Sequence, residues 1–102
     1  MMVDVKARPL FNRRVRIAEK SFAELVAWQL PHPVSGSPHG YKYRLALVVE
    51  GVCVLRYDNE AGKGDHRHWD QTEEHYVFID IDRLVADFFN EVSRWRDEHS
   101  HN

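Results

Sequence analysis

Apolar and polar residues alternate at period two through the middle of the chain and recur at helical spacing near its end. Tyr41, Tyr43, Leu45, Leu47 and Val49 fall on one side, with Lys42 and Arg44 on the other, which predicts a strand. Glu50-Gly51 places a glycine where a tight turn needs positive φ, and Val52 to Tyr57 resumes β-branched and aromatic character. The two runs therefore read as a hairpin. Pairing Val49 with Val52 sets Leu45 opposite Arg56 and Tyr43 opposite Asp58. Upstream, Phe22, Val26, Trp28 and Leu30 alternate with Ala23, Leu25 and Ala27, and Arg14 to Ala18 alternates more weakly. Both segments read as strands.

Pro31 to Gly40 holds three of the four prolines, lacks ladder donors and reads as a loop. Asp58 to Asp70 is polar and contains glycine, a loop of about a dozen residues whose length points to function. His75 to Ile79 reads as a short fifth strand. Asp80 or Asp82 then caps a helix of residues 80–97, since a short side-chain oxygen accepts from first-turn amides. Ile81, Leu84, Val85, Phe88, Phe89, Val92 and Trp95 form its apolar stripe. Residues 97–102 lose that stripe and are expected to fray, and their two histidines need no role. The expected fold class is α+β: an antiparallel sheet of four to five strands packed by one C-terminal helix. A single domain is expected over residues 1–102, with its core at about 12–96.

At 43% hydrophobic and 29% charged residues, the 102-residue chain has a globular composition, which argues against disordered, collagen-like or coiled-coil readings. Fourteen Lys and Arg against sixteen Asp and Glu give a net charge of -2, so bulk charge does not mark a nucleic-acid binder. Locally the balance reverses: Lys6, Arg8, Arg13, Arg14, Arg16 and Lys20 face only Asp4 and Glu19. Such a strand can follow a phosphate backbone, or simply use its charges to block edge-to-edge pairing. Arg13, Arg14 and Arg16, with Lys42 and Arg44, are the candidate nucleic-acid contacts. Cys53 is the only cysteine, which excludes an intrachain disulfide and a Cys-cluster zinc finger, and its apolar neighbours predict a buried, inert thiol. No apolar run approaches membrane-spanning length, and the opening residues are charged, so a soluble intracellular protein is expected.

The run Arg56-Tyr57-Asp58-Asn59-Glu60-Ala61-Gly62-Lys63-Gly64-Asp65-His66-Arg67-His68 concentrates the candidate chemistry. Two glycines around Lys63 suit a small anion nest, although the spacing is not that of a P-loop. In an extended segment His66 and His68 project to one side about 6 to 7 Å apart, room for one phosphate. One imidazole can take the proton of a ribose 2′-hydroxyl while the other protonates the departing 5′-oxygen. Lys63, Arg67 and Arg56 would stabilise the phosphoryl oxygens, and Asp58 or Asp65 would orient an imidazole. Two other readings compete: a polar loop merely ordered by ion pairs, and a metal site of Asp65, His66 and His68, with His75 as the only further donor in view. His32 and His39, in the proline-rich loop, are expected to be solvent-exposed. Tyr41, Tyr43, Trp28 and Tyr57 suit either base stacking or packing.

Tyr41-Lys42-Tyr43-Arg44-Leu45, Arg56-Tyr57-Asp58-Asn59 and Gly62-Lys63-Gly64-Asp65-His66-Arg67-His68, followed by a helix with Leu84, Asp87 and Phe88, resemble the TumE family of small bacterial and archaeal toxin-antitoxin proteins. The similarity spans about residues 12–96, and the His-containing tail after Trp95 is not part of it. The resemblance implies a cytoplasmic toxin encoded beside a cognate antitoxin, often a helix-turn-helix protein from the adjacent gene, and assigns no reaction by itself. The leading expectation is a metal-independent, cofactor-free ribonuclease acting on RNA. The alternatives are a non-enzymatic module that binds nucleic acid or a partner, and a metal-dependent nuclease. The hairpin edge and the Phe88, Phe89 and Trp95 stripe make a homodimer a further expectation.

Overall fold

The computed structural model describes residues 7–33 and 36–99, which form six antiparallel strands in sequential order followed by one helix. The strands are β1 (Arg8–Ala18), β2 (Ser21–Gln29), β3 (Tyr41–Val49), β4 (Val52–Glu60), β5 (Gly64–Trp69) and β6 (Thr72–His75), and the helix is α1 (Ile81–Glu98). Asp4 and Lys6 of the opening, Val34 and Ser35 of the proline-rich loop, and Ser100, His101 and Asn102 of the tail lie outside the described residues. The α+β expectation holds, with six strands in place of four or five.

One face of the sheet carries the core. Ala23, Leu25 and Ala27 of β2, Tyr43, Leu45 and Leu47 of β3, and Leu55 and Tyr57 of β4 are buried with Leu84, Phe88 and Val92 of α1. Ile81, Val85, Phe89 and Trp95, partly buried, complete the helical stripe at the margin of this core. Asp80 caps the helix by accepting from the Arg83 N–H at 2.7 Å. The helix packs on β3 and β4, leaving the opposite sheet face open.

The central hairpin departs from the simple register. Val49 pairs with Val52 and Val48 with Cys53, but Leu47 then pairs with Leu55, leaving Val54 as an extra residue. This bulge sets Leu45 opposite Tyr57 and Arg44 opposite Asp58, correcting the expected Leu45–Arg56 and Tyr43–Asp58 pairs. Because strand side chains alternate, the extra residue brings both apolar sets onto the helix face and both charged sets onto the open face.

The polar segment expected as a long loop folds as the end of β4, a turn, and β5. Its helix-facing positions are Asp65, Arg67 and Trp69, two of them charged, so no apolar alternation announces the strand. The following strand is Thr72–His75, displaced from the expected His75–Ile79; Tyr76 and Phe78 leave the sheet and pack against the core. Cys53 is exposed near the hairpin tip, where Val52 is also exposed, correcting its expected burial.

Candidate functional site

Sheet register assembles the open face in transverse rows. One row runs Val26, Arg44, Asp58, His66, His75, and the next runs Glu24, Ala46, Arg56, His68, Glu73. Directly paired residues of antiparallel strands share a face, so three histidines, two arginines and two carboxylates meet across β3 to β6.

The imidazoles are oriented by specific partners. His66 Nδ1 donates to the Gly64 carbonyl at 3.1 Å, which leaves Nε2 as its free nitrogen. Arg56 Nη2 donates to His68 Nε2 at 3.0 Å; a guanidinium cannot accept, so that nitrogen carries a lone pair. Burial and the Arg56 charge hold the His68 pKa below its ordinary value, against the opposing pull of Glu73 and Asp58. Asp58 Oδ2 lies 3.1 Å from Arg56 Nε as an ion pair without hydrogen-bond alignment, and Asp58 Oδ1 lies 3.8 Å from His68 Nε2.

Glu73 closes the cluster. Its Oε2 lies 3.1 Å from Lys63 Nζ, 3.5 Å from His68 Nε2 and 4.0 Å from His66 Nε2. Three nitrogens thus converge on one anionic oxygen. The Lys63 bond pulls the Glu73 carboxyl below its ordinary pKa and raises that of the ammonium. Glu73 was not among the residues singled out from sequence. Its signal is positional, since it is the partner of His68 across a hairpin that the polar sequence did not disclose.

Arg67 and Asp65 point to the other face. Arg67 binds Glu91 of α1 and Glu74, and lies over Trp69, so it ties the sheet to the helix and does not join the histidines. Asp65 is buried, accepts from Ser37 Oγ, and lies 2.6 Å from His39 Nε2. His39 Nδ1 accepts from the Tyr41 N–H at 3.2 Å, which fixes the Nε2–H tautomer. His39 is therefore largely buried, stacked on Phe78, in place of the expected exposed position. Asn59 completes this seam: Oδ1 accepts from the Tyr43 N–H at 3.0 Å and Nδ2 donates to the Tyr41 carbonyl at 2.7 Å. The Tyr43 hydroxyl is buried without a hydrogen-bond partner, and burial with the nearby Asp65 charge raises its pKa far above the ordinary value.

Gly62 and Gly64 adopt positive φ and form the β4–β5 turn, in which the Lys63 N–H bonds the Glu60 carbonyl at 3.1 Å. That amide is consumed by the turn and does not line an anion nest. Among the basic candidates, Lys42 and Arg44 flank the histidine rows on the open face, beside Val26, Trp28 and Asp58. Arg14 and Arg16 lie on the same face at β1, whereas Arg13 points to the helix side. A hollow of about 690 Å³ lies at the β1–β2 turn, away from the histidines, whose surroundings are an open sheet surface. Among the described residues no three His, Cys, Asp or Glu side chains are placed to hold a metal ion, and Asp65 faces away from His66 and His68. No helix of the described residues is long and apolar enough to cross a membrane.

A family model described as toxin TumE matches residues 3–96. Neither the curated proteins nor the solved structures compared with the chain gave a significant match.

Proposed function

The chain belongs to the TumE family of toxins, and we propose that it acts as a metal-independent ribonuclease whose acid-base pair is His66 and His68. The family implies a cognate antitoxin. The observation that carries the catalytic reading is the convergence of both imidazole Nε2 atoms and the Lys63 ammonium on one Glu73 oxygen. A position where Lys63 holds a carboxylate oxygen beside two imidazoles suits a phosphoryl oxygen of RNA, with Glu73 giving way as the strand binds.

In this reading His68, whose pKa is held down, is unprotonated at neutral pH and serves as the base. The incoming phosphate draws Arg56 off His68 Nε2 and frees its lone pair. That nitrogen takes the proton of the ribose 2′-hydroxyl as the 2′-oxygen bonds to phosphorus. The bond from phosphorus to the 5′-oxygen breaks, and His66, acting as the imidazolium, gives its Nε2 proton to that oxygen. The products are a 2′,3′-cyclic phosphate and a 5′-hydroxyl. Arg56 and Lys63 offset charge on the non-bridging oxygens, and Asp58 holds Arg56 in place. Lys42 and Arg44, with Arg14 and Arg16 farther along the open face, extend the path of the RNA. An open sheet suits a polymer better than a small molecule, which usually occupies a concave pocket.

The test is cleavage of RNA by the purified chain, with the product ends identified. Wild type yields cyclic phosphate ends, and His66→Ala or His68→Ala lowers the rate by about 10² to 10⁴-fold while circular dichroism stays unchanged. Equal cleavage by both variants overturns these roles. Salt-sensitive RNA binding with no product, with or without divalent ions, would favour a binding module instead.

A further inference from the structure

We propose that the outer edge of β1 and the apolar crevice beside it bind an extended partner segment in which apolar and acidic residues alternate. The reading is independent of RNA cleavage. β1 is the first strand in the sheet order, so among the described residues its eleven residues are paired on one side only. A free edge of that length is a template for another strand.

The two faces of this edge differ in chemistry. Phe11, Arg13 and Val15 point to the helix side, where they line a crevice of about 300 Å³ with Leu25, Val85 and Phe89. The crevice exists because α1 rests on β3 and β4 and leaves the β1 end of the core partly uncovered. Arg14 and Arg16 point to the open face. Arg14 pairs with Glu24 at 2.6 Å, while Arg13 and Arg16 make no ion pair among the described residues. A strand laid along β1 turns alternate side chains to the two faces, so apolar residues reach the crevice and carboxylates meet Arg14 and Arg16. A carboxylate at the mouth of the crevice meets Arg13.

Charge also discriminates among occupants. A second copy pairing β1 with β1 would bring the arginines of both copies together, which is unfavourable. The acidic β6 of a second copy, Thr72-Glu73-Glu74-His75, offers no apolar side chain for the crevice, and its carboxylates already pair with Lys63 and Arg67. RNA has no peptide N–H and C=O groups with which to continue the ladder along the β1 edge. The edge fits an acidic, apolar protein segment.

The experiment measures binding of two labelled peptides to the full chain by fluorescence anisotropy, one alternating valine and glutamate, the other valine and lysine. The valine-glutamate peptide binds and the valine-lysine peptide does not. The combined variant Arg13→Glu, Arg14→Glu, Arg16→Glu weakens binding by about tenfold or more, the sum of several exposed ion pairs. Val15→Asp, which charges the crevice, weakens it as well, whereas Arg96→Glu on the far helix face leaves it unchanged, and circular dichroism verifies that each variant is folded. Absence of binding, equal binding of both peptides, or binding unaffected by the triple substitution overturns the proposal. So does a wild-type dimer in sedimentation that the peptide fails to dissociate.

Discussion

At His68, neighbours of opposite charge compete for control of one proton. Burial and Arg56 oppose protonation, Glu73 and Asp58 favour it, and the net effect is a pKa below the ordinary 6.5. Arg56→Gln removes a positive neighbour, so the pKa rises; Glu73→Gln removes a negative one, so it falls further. Nuclear magnetic resonance titration of the His68 ring in the three proteins measures both shifts, and equal values would show that the charges do not act on this ring. The same displacement fixes the sign of a stability effect. Because the folded pKa is depressed, the unfolded chain binds the proton more readily, so the contribution of His68 is complete above pH 6.5 and is lost as the pH falls toward the folded value. Urea unfolding of wild type from pH 7.5 down to 5 should accordingly show a decline that is smaller in His68→Gln. Glu73→Gln also removes the negative charge from the position where three nitrogens converge, so inorganic phosphate should bind that variant more tightly than wild type.

At the scale of elements, the seam between the proline-rich loop and the β4–β5 turn decides where β5 lies. Ser37 and His39 reach Asp65 from the loop, and the Gly36 backbone packs directly on Gly64. Gly62 and Gly64 both have φ near +85°, so alanine at either position costs about 1 to 2 kcal/mol of backbone strain. At Gly62 the added methyl meets open space, whereas at Gly64 it would lie 2.7 Å from the Gly36 carbonyl oxygen. Gly64→Ala should therefore cost clearly more in urea unfolding than Gly62→Ala and speed amide exchange in β5; equal costs would mean that the seam does not constrain the turn. This seam also explains what the sequence disclosed and what it withheld. The strands β2 to β4 and the helix were legible because Leu45, Leu55, Leu84 and Phe88 bury apolar surface at the period of their element. The extension of β1 to Arg8, together with β5 and β6, was not, because arginines, Asp65 and Glu73 occupy positions where partners distant in sequence satisfy them. His66 and His68 were legible as a pair from their spacing alone. The assignments of Arg67 and Asp65 to the same site failed because residues adjacent in a strand face opposite ways.

For the whole molecule, a net charge of -2 gives no general attraction for RNA, so any affinity must come from the cations gathered on the open face. Lys42, Arg44, Arg56 and Lys63 lie along one path there, three of them already in contact with a carboxylate or a carbonyl that a phosphate must displace. If four phosphates are neutralised, log affinity for single-stranded RNA should fall against log salt with a slope of about -3, taking roughly 0.7 per contact. Fluorescence anisotropy with the inactive His66→Ala protein measures that slope, and Arg44→Ala should reduce its magnitude by about 0.7. The same charges substitute for a metal in the proposed chemistry, so cleavage by wild type should persist after exhaustive dialysis against EDTA and fall with added salt in parallel with binding. Activity lost on chelation and restored by manganese would instead require a metal beside His66 and His68. A salt slope near zero would show that the RNA does not follow the open face.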